Sequence, residues 1–108
     1  MSSLRPPYRS WLTKAQHDLI ALQRIVAEPG APWDTVCFHA QQSAEKVLKA
    51  FLVFHGQTPP KTHNLDRLLT DCVTFDPTLA SLRKDCIRLT TYGIESRYPN
   101  DNPRAARA

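Results

Sequence analysis

His39, Gln42, Lys46 and Lys49 follow one another at steps of three, four and three residues. On an α-helix that spacing places them on one face. Two ammonium groups, an imidazole and a carboxamide can together hold an anion: the lysines supply charge, and Gln and His supply directed hydrogen bonds. A loop stiffened by Pro59 and Pro60 then delivers Lys61 and His63. His63 stands just before a short helix whose N-terminal amides favour an anion nearby. Farther along, Arg97 adds a guanidinium and Tyr98 a ring that can stack on a base. The candidate ligand set, for a nucleotide or a phosphate, is His39, Gln42, Lys46, Lys49, His63, Arg97 and Tyr98. Each member also has a plainer reading. The helix face can be a solvated surface braced by a Glu45–Lys49 pair, worth about 0.3 kcal/mol at i,i+4 spacing. His63 can anchor the loop through backbone bonds, Tyr98 can cover the core, and Arg97 can pair with Glu45 or Asp18.

The elements that would position these groups are all helical. The first helix is expected from about Tyr8 to Ala27, with Ser10 as candidate N-cap and Leu12, Ala15, Leu19, Leu22 and Val26 on one apolar face. Pro29-Gly30-Ala31-Pro32 ends it, because neither Pro nor Gly continues a helix. The second is expected from about Trp33 to His55, with Val36, Ala40, Ala44, Val47, Leu48, Phe51 and Leu52 recurring at helical steps and Gly56 as its stop. A third is expected from Leu65 to Val73 with Asn64 as N-cap. A fourth is expected from Pro77 to Gly93, with Leu79, Leu82, Cys86 and Leu89 on one face. No alternating strand pattern occurs. Two long helices joined by a short turn pack antiparallel. The expected fold is therefore all-α, an antiparallel up-and-down four-helix bundle forming a single domain over 1–108. Its core spans about 8–98, and the polar, Pro-interrupted stretch 99–108 is an extended tail. Phe38, Val53 and Phe54 fall off the main stripe of the second helix, which is either central in the bundle or half of a dimer interface.

Composition bounds the rest. A chain of 108 residues with 42% hydrophobic content supports one packed core. No apolar run approaches the length of a membrane span, and the N-terminus lacks a signal-peptide core, so a cytoplasmic location is expected. Cys37, Cys72 and Cys86 form no C-x-x-C pair and read as small buried hydrophobes. No Cys/His grouping has metal-ligand spacing, so neither a metal nor another cofactor is expected. A net charge of +4 and a pI near 9.2 fit either a solvated basic surface or attraction to a phosphate-bearing partner.

Four segments then carry a resemblance: Asp18-Leu19, H-A-Q-Q-S-A-E-K-V-L-K-A from His39 to Ala50, K-T-H-N-L from Lys61 to Leu65, and S-R-Y-P from Ser96 to Pro99. In order and spacing, over about Trp11 to Pro99, the chain resembles the HEPN family of prokaryotic helical domains. The resemblance implies a helical bundle, commonly a homodimer, often encoded beside a minimal nucleotidyltransferase. Some members bind nucleotides, and others are metal-independent ribonuclease toxins.

The nuclease branch of that family uses R-x(4–6)-H, in which Arg neutralises the scissile phosphate and His moves the 2′-hydroxyl proton. Arg97 is the positional counterpart, but residues 102 to 104 are Asn, Pro and Arg, and no other Arg has His at that spacing. No catalytic residue is therefore assigned, although His39 or His63 could stand in from another element. The expectation is a non-catalytic, homodimeric module acting with a minimal nucleotidyltransferase, with a nucleotide or RNA as ligand. The alternatives are a divergent ribonuclease of a toxin–antitoxin pair and a purely structural dimerisation unit.

Overall fold

A computed structural model describes residues 7–95. Helix α1 spans Pro7–Ala27, α2 Trp33–Phe54, α3 Leu65–Val73 and α4 Arg83–Glu95, with a 3-10 segment at Pro77–Leu82 leading into α4. No strand occurs among the described residues. The architecture is the expected all-α bundle. Helices α1 and α2 form a long antiparallel hairpin, and the shorter second half, α3 to α4, packs on the other side of α2. The expected tail at 99–108 lies outside the described residues.

Local chemistry explains the boundaries. Asn64 caps α3: its side chain accepts from the backbone N–H of Asp66 at 2.9 Å and of Arg67 at 3.2 Å. Helix α2 stops at Gly56, whose φ of +76° suits a residue without Cβ. Gly56 N–H bonds Val53 O at 3.0 Å and Gln57 N–H bonds Leu52 O at 2.9 Å, the paired closure that satisfies the last carbonyls of a helix. Two expectations differ. Ser10, expected as an N-cap, lies inside α1, which begins at Pro7, a residue suited to a first helical turn. The fourth helix is split. Leu79 N–H bonds Asp76 O at 3.1 Å, and Ser81 Oγ donates to Thr78 O, so the chain starts with a tighter i→i+3 turn. The different rotation per residue puts Leu82 out of phase with Cys86, and Leu82 is exposed.

The core sits between α2, α3 and α4. Leu48, Leu52, Leu65, Leu68, Leu69, Cys72 and Cys86 form one buried cluster, with Phe51, Leu79 and Leu89 packed against it. The hairpin is different. Of the α1 stripe only Ala15 is buried, while Leu12, Leu19 and Val26 are 39%, 44% and 57% exposed. Polar contacts account for this rotation. Ser43 Oγ donates to Ala15 O at 3.1 Å, and Asp18 bonds Lys46 and His39. These contacts turn the Ala15–Asp18 side of α1 toward α2 and leave the Leu12–Leu19–Val26 row to one side.

Burial also sets thiol chemistry. Removal from water pushes Cys72 up to about 11, with Asp71 and Cys86 adding to the effect, and it raises Cys37 and Cys86 as well. The folded chain therefore keeps the Cys72 proton to higher pH than the unfolded chain does. The corresponding stability is fully present below the thiol's ordinary value of 9.0 and is lost as pH rises toward about 11. Denaturant titrations are expected to show a falling midpoint over that window, and a Cys72→Ala variant should show a smaller fall. An equal fall in both would assign the effect elsewhere.

A candidate functional site along the polar stripe of α2

Helix α2 carries a buried stripe of Cys37, Gln41, Glu45, Leu48 and Leu52, so two polar side chains interrupt an otherwise apolar seam. Each is satisfied by the loop that precedes α3. Gln41 Nε2 donates to the His63 carbonyl at 3.0 Å. Glu45 uses both carboxylate oxygens: Oε2 accepts from Lys49 Nζ at 2.9 Å, and Oε1 meets His63 Nδ1 at 2.9 Å. Because an ionised carboxylate only accepts, Nδ1 carries the hydrogen in this contact. The far nitrogen, Nε2, belongs to a side chain that is 72% exposed. Lys49 is nearly as buried as Glu45, and its Nζ lies 5.6 Å from the centroid of the Trp11 ring, a cation–π contact from α1. No buried side-chain nitrogen or oxygen among the described residues lacks a partner.

A second ionic centre lies on the side of α2 that meets α1. Asp18 Oδ2 accepts from Lys46 Nζ at 2.5 Å, and Asp18 Oδ1 lies 3.4 Å from His39 Nδ1. His39 and Lys46 are seven residues apart, so both reach one carboxylate across the helix–helix seam.

The candidate ligand residues are thus divided. His39 and Lys46 share Asp18, Lys49 and His63 share Glu45, and Gln42 is half-buried on the same helix between them. Arg97 and Tyr98 lie outside the described residues. The plain reading of Glu45–Lys49 as a solvated surface pair is corrected, because both residues are buried and the pair belongs to the interior. His63 proves to be an anchor through its side chain as well as its carbonyl. Gln41 and the central place of Glu45 were missed by residue-by-residue reading. The available signal was their four-residue spacing in line with Cys37, Leu48 and Leu52, which puts both on the buried seam.

The electrostatic consequence is direct. Asp18 and Glu45 offset Lys46 and Lys49, so the two centres carry no net charge while both imidazoles are neutral. Their contacts run from α1 to α2 and from α2 to the loop before α3, and so they hold the hairpin and that loop in register. Among the described residues no group of three or more His, Cys, Asp and Glu could hold a metal ion. None of the described helices is long and apolar enough to cross a membrane.

Comparison with known protein families matches residues 8–108 to the HEPN domain. Comparisons with curated proteins and with solved structures return no match. The match covers nearly the whole chain and includes both ionic centres, the capped third helix and the S-R-Y-P segment. The chain belongs to the HEPN domain family.

Proposed function

We propose that this chain is a non-catalytic HEPN module that forms a homodimer through its α1–α2 hairpin and acts as the helical partner of a minimal nucleotidyltransferase. The observation that carries the reading is a pair of exposed apolar rows. On α1, Leu12, Leu19 and Val26 recur every seven residues; on α2, Ala40, Val47 and Phe54 do the same. Leu12, Leu19, Val26, Val47 and Phe54 are 39% to 62% exposed. Tyr8 and Phe54 meet edge-on with ring centroids 5.1 Å apart, which brings the two rows to one side of the hairpin. Seven-residue spacing on two antiparallel helices is the pattern by which a hairpin completes a four-helix bundle with a second hairpin. A continuous apolar strip of this kind is an interaction surface by default. The same strip on each copy supports a two-fold, self-complementary contact.

The absence of R-x(4–6)-H from the sequence supports a binding role over hydrolysis of RNA. The nucleotidyltransferase partner is the class that family membership suggests. It is tested by co-elution of the purified chain with a purified minimal nucleotidyltransferase; separate elution at every concentration would exclude that half of the reading. For the dimer half, Leu19→Glu and Val47→Glu each place a charge in the strip at a position already exposed in the single chain. Both are expected to give folded monomers by light scattering, with unchanged helical circular dichroism. A dimer that survives both substitutions would remove the strip from the interface.

A further inference from the structure

The outward side of α1 has its own character. His17, Ile20, Ala21, Arg24 and Ile25 line a shallow groove there. His17, Ala21 and Ile25 form one ridge of side chains at four-residue steps, and Ile20 with Arg24 forms the next. A furrow between two such ridges is the feature into which a ridge of a second helix packs. Ile20 is 46% exposed, and α1 packs chiefly on α2. The groove differs from the Leu12–Leu19–Val26 row, because Ile20 is one residue, about 100° of rotation, beyond Leu19.

Charge narrows the occupant. Within Pro7–Ala27 the cations are Arg9, Lys14 and Arg24, and the one acid, Asp18, is turned inward to Lys46 and His39. Lys14 and Arg24 have no ion-pair partner among the described residues, and Glu28 lies past the helix end. Two copies meeting through this face would gather four cations, Lys14 and Arg24 from each, with no outward acid of α1 to offset them. A nucleic-acid backbone has no use for a floor of Ile20, Ala21 and Ile25. We infer that the outer groove of α1 docks an amphipathic helix of another protein, one whose apolar ridge fills the furrow and whose flanks are acidic. Apolar packing supplies the affinity and the flanking carboxylates orient the helix on the Lys14 and Arg24 ends. The inference is independent of the dimer strip and of the identity of the partner.

The test uses the full chain and two synthetic helical peptides that share one Leu/Ala ridge, one flanked by Glu and the other by Lys. Titrations followed by fluorescence anisotropy should show the Glu-flanked peptide binding and the Lys-flanked one failing. Binding should weaken about tenfold or more in Arg24→Glu and in Ile20→Glu, and it should weaken with added salt. Backbone amide shifts should fall on His17 to Ile25. Equal binding of both peptides, loss of binding in Leu19→Glu but not in Ile20→Glu, or preferential shift of the same amides by a single-stranded RNA would each overturn the proposal. Two substitutions at exposed positions keep the outcome readable if one of them perturbs folding.

Discussion

Glu45→Leu is expected to destabilise the fold by about 3–5 kcal/mol, the cost of leaving one partner of a buried ion pair without the other. That is a large share of the roughly 5–15 kcal/mol that holds a domain together. The substitution removes the acceptor for both Lys49 and His63. The Lys49 side chain, 9% exposed, is then left as a cation between α2 and the Trp11 ring with no carboxylate beside it. His63 loses its side-chain tie and keeps only its carbonyl bond to Gln41 on α2. The double variant Glu45→Leu with Lys49→Met is expected to recover most of the loss, because two apolar side chains of similar size leave no unpaired charge behind. Urea unfolding of the two single variants and the double variant checks this. A single variant within about 1 kcal/mol of the parent, or a double variant as damaged as the sum of the singles, would mean that Glu45 is not the centre of a buried network.

The second large effect lies in the apolar core. Leu68 has no exposed surface and sits in the cluster with Leu48, Leu52, Leu65, Leu69, Cys72 and Cys86. Leu68→Ala combines the lost transfer free energy with a cavity among side chains from α2, α3 and α4, at an expected cost of about 2–5 kcal/mol. Ile87→Ala, at a position 47% exposed, is the control and should cost well under that. Chemical denaturation of both variants decides the matter. Similar losses at the two positions would place the core elsewhere.

These two expectations separate what the sequence makes legible from what it does not. Helix α3 is readable to the residue, because Asn64 offers a cap and Leu65, Leu68, Leu69 and Cys72 repeat at helical steps with nothing to compete. The end of α2 is readable because Gly56 is the one residue there that enters the left-handed region without penalty. Those signals are local. The ionic centres are not, because His63 reaches Glu45 across eighteen residues of chain and Asp18 reaches Lys46 across twenty-eight. Helical spacing places His39, Gln42, Lys46 and Lys49 along one side of α2, and the contacts divide the charged ones between Asp18 and Glu45. Spacing pairs Lys49 with Glu45, but it cannot show that this pair is buried or that Lys46 already has a carboxylate, which comes from Asp18 on α1. The Leu12–Leu19–Val26 row shows a related limit. Periodicity finds an apolar row, and only the polar contacts of Ser43 and Asp18 decide that the row faces away from the core.

The exposed rows and the buried charges have complementary consequences for how the molecule works. Ion pairs fasten α1, α2 and the loop before α3 into one body, so the hairpin presents its apolar strip as a preformed surface. A preformed surface binds with little ordering cost. On this account dimerisation needs no rearrangement, and substitutions in the strip should change association without changing the fold.

The most direct measurement is the mass of the unmodified chain in solution, by sedimentation equilibrium over a range of concentrations, beside that of Leu19→Glu. The account predicts a parent particle of twice the 12.2 kDa chain mass and a variant at 12.2 kDa with the same helical spectrum. A parent at 12.2 kDa throughout, indistinguishable from Leu19→Glu, would contradict it.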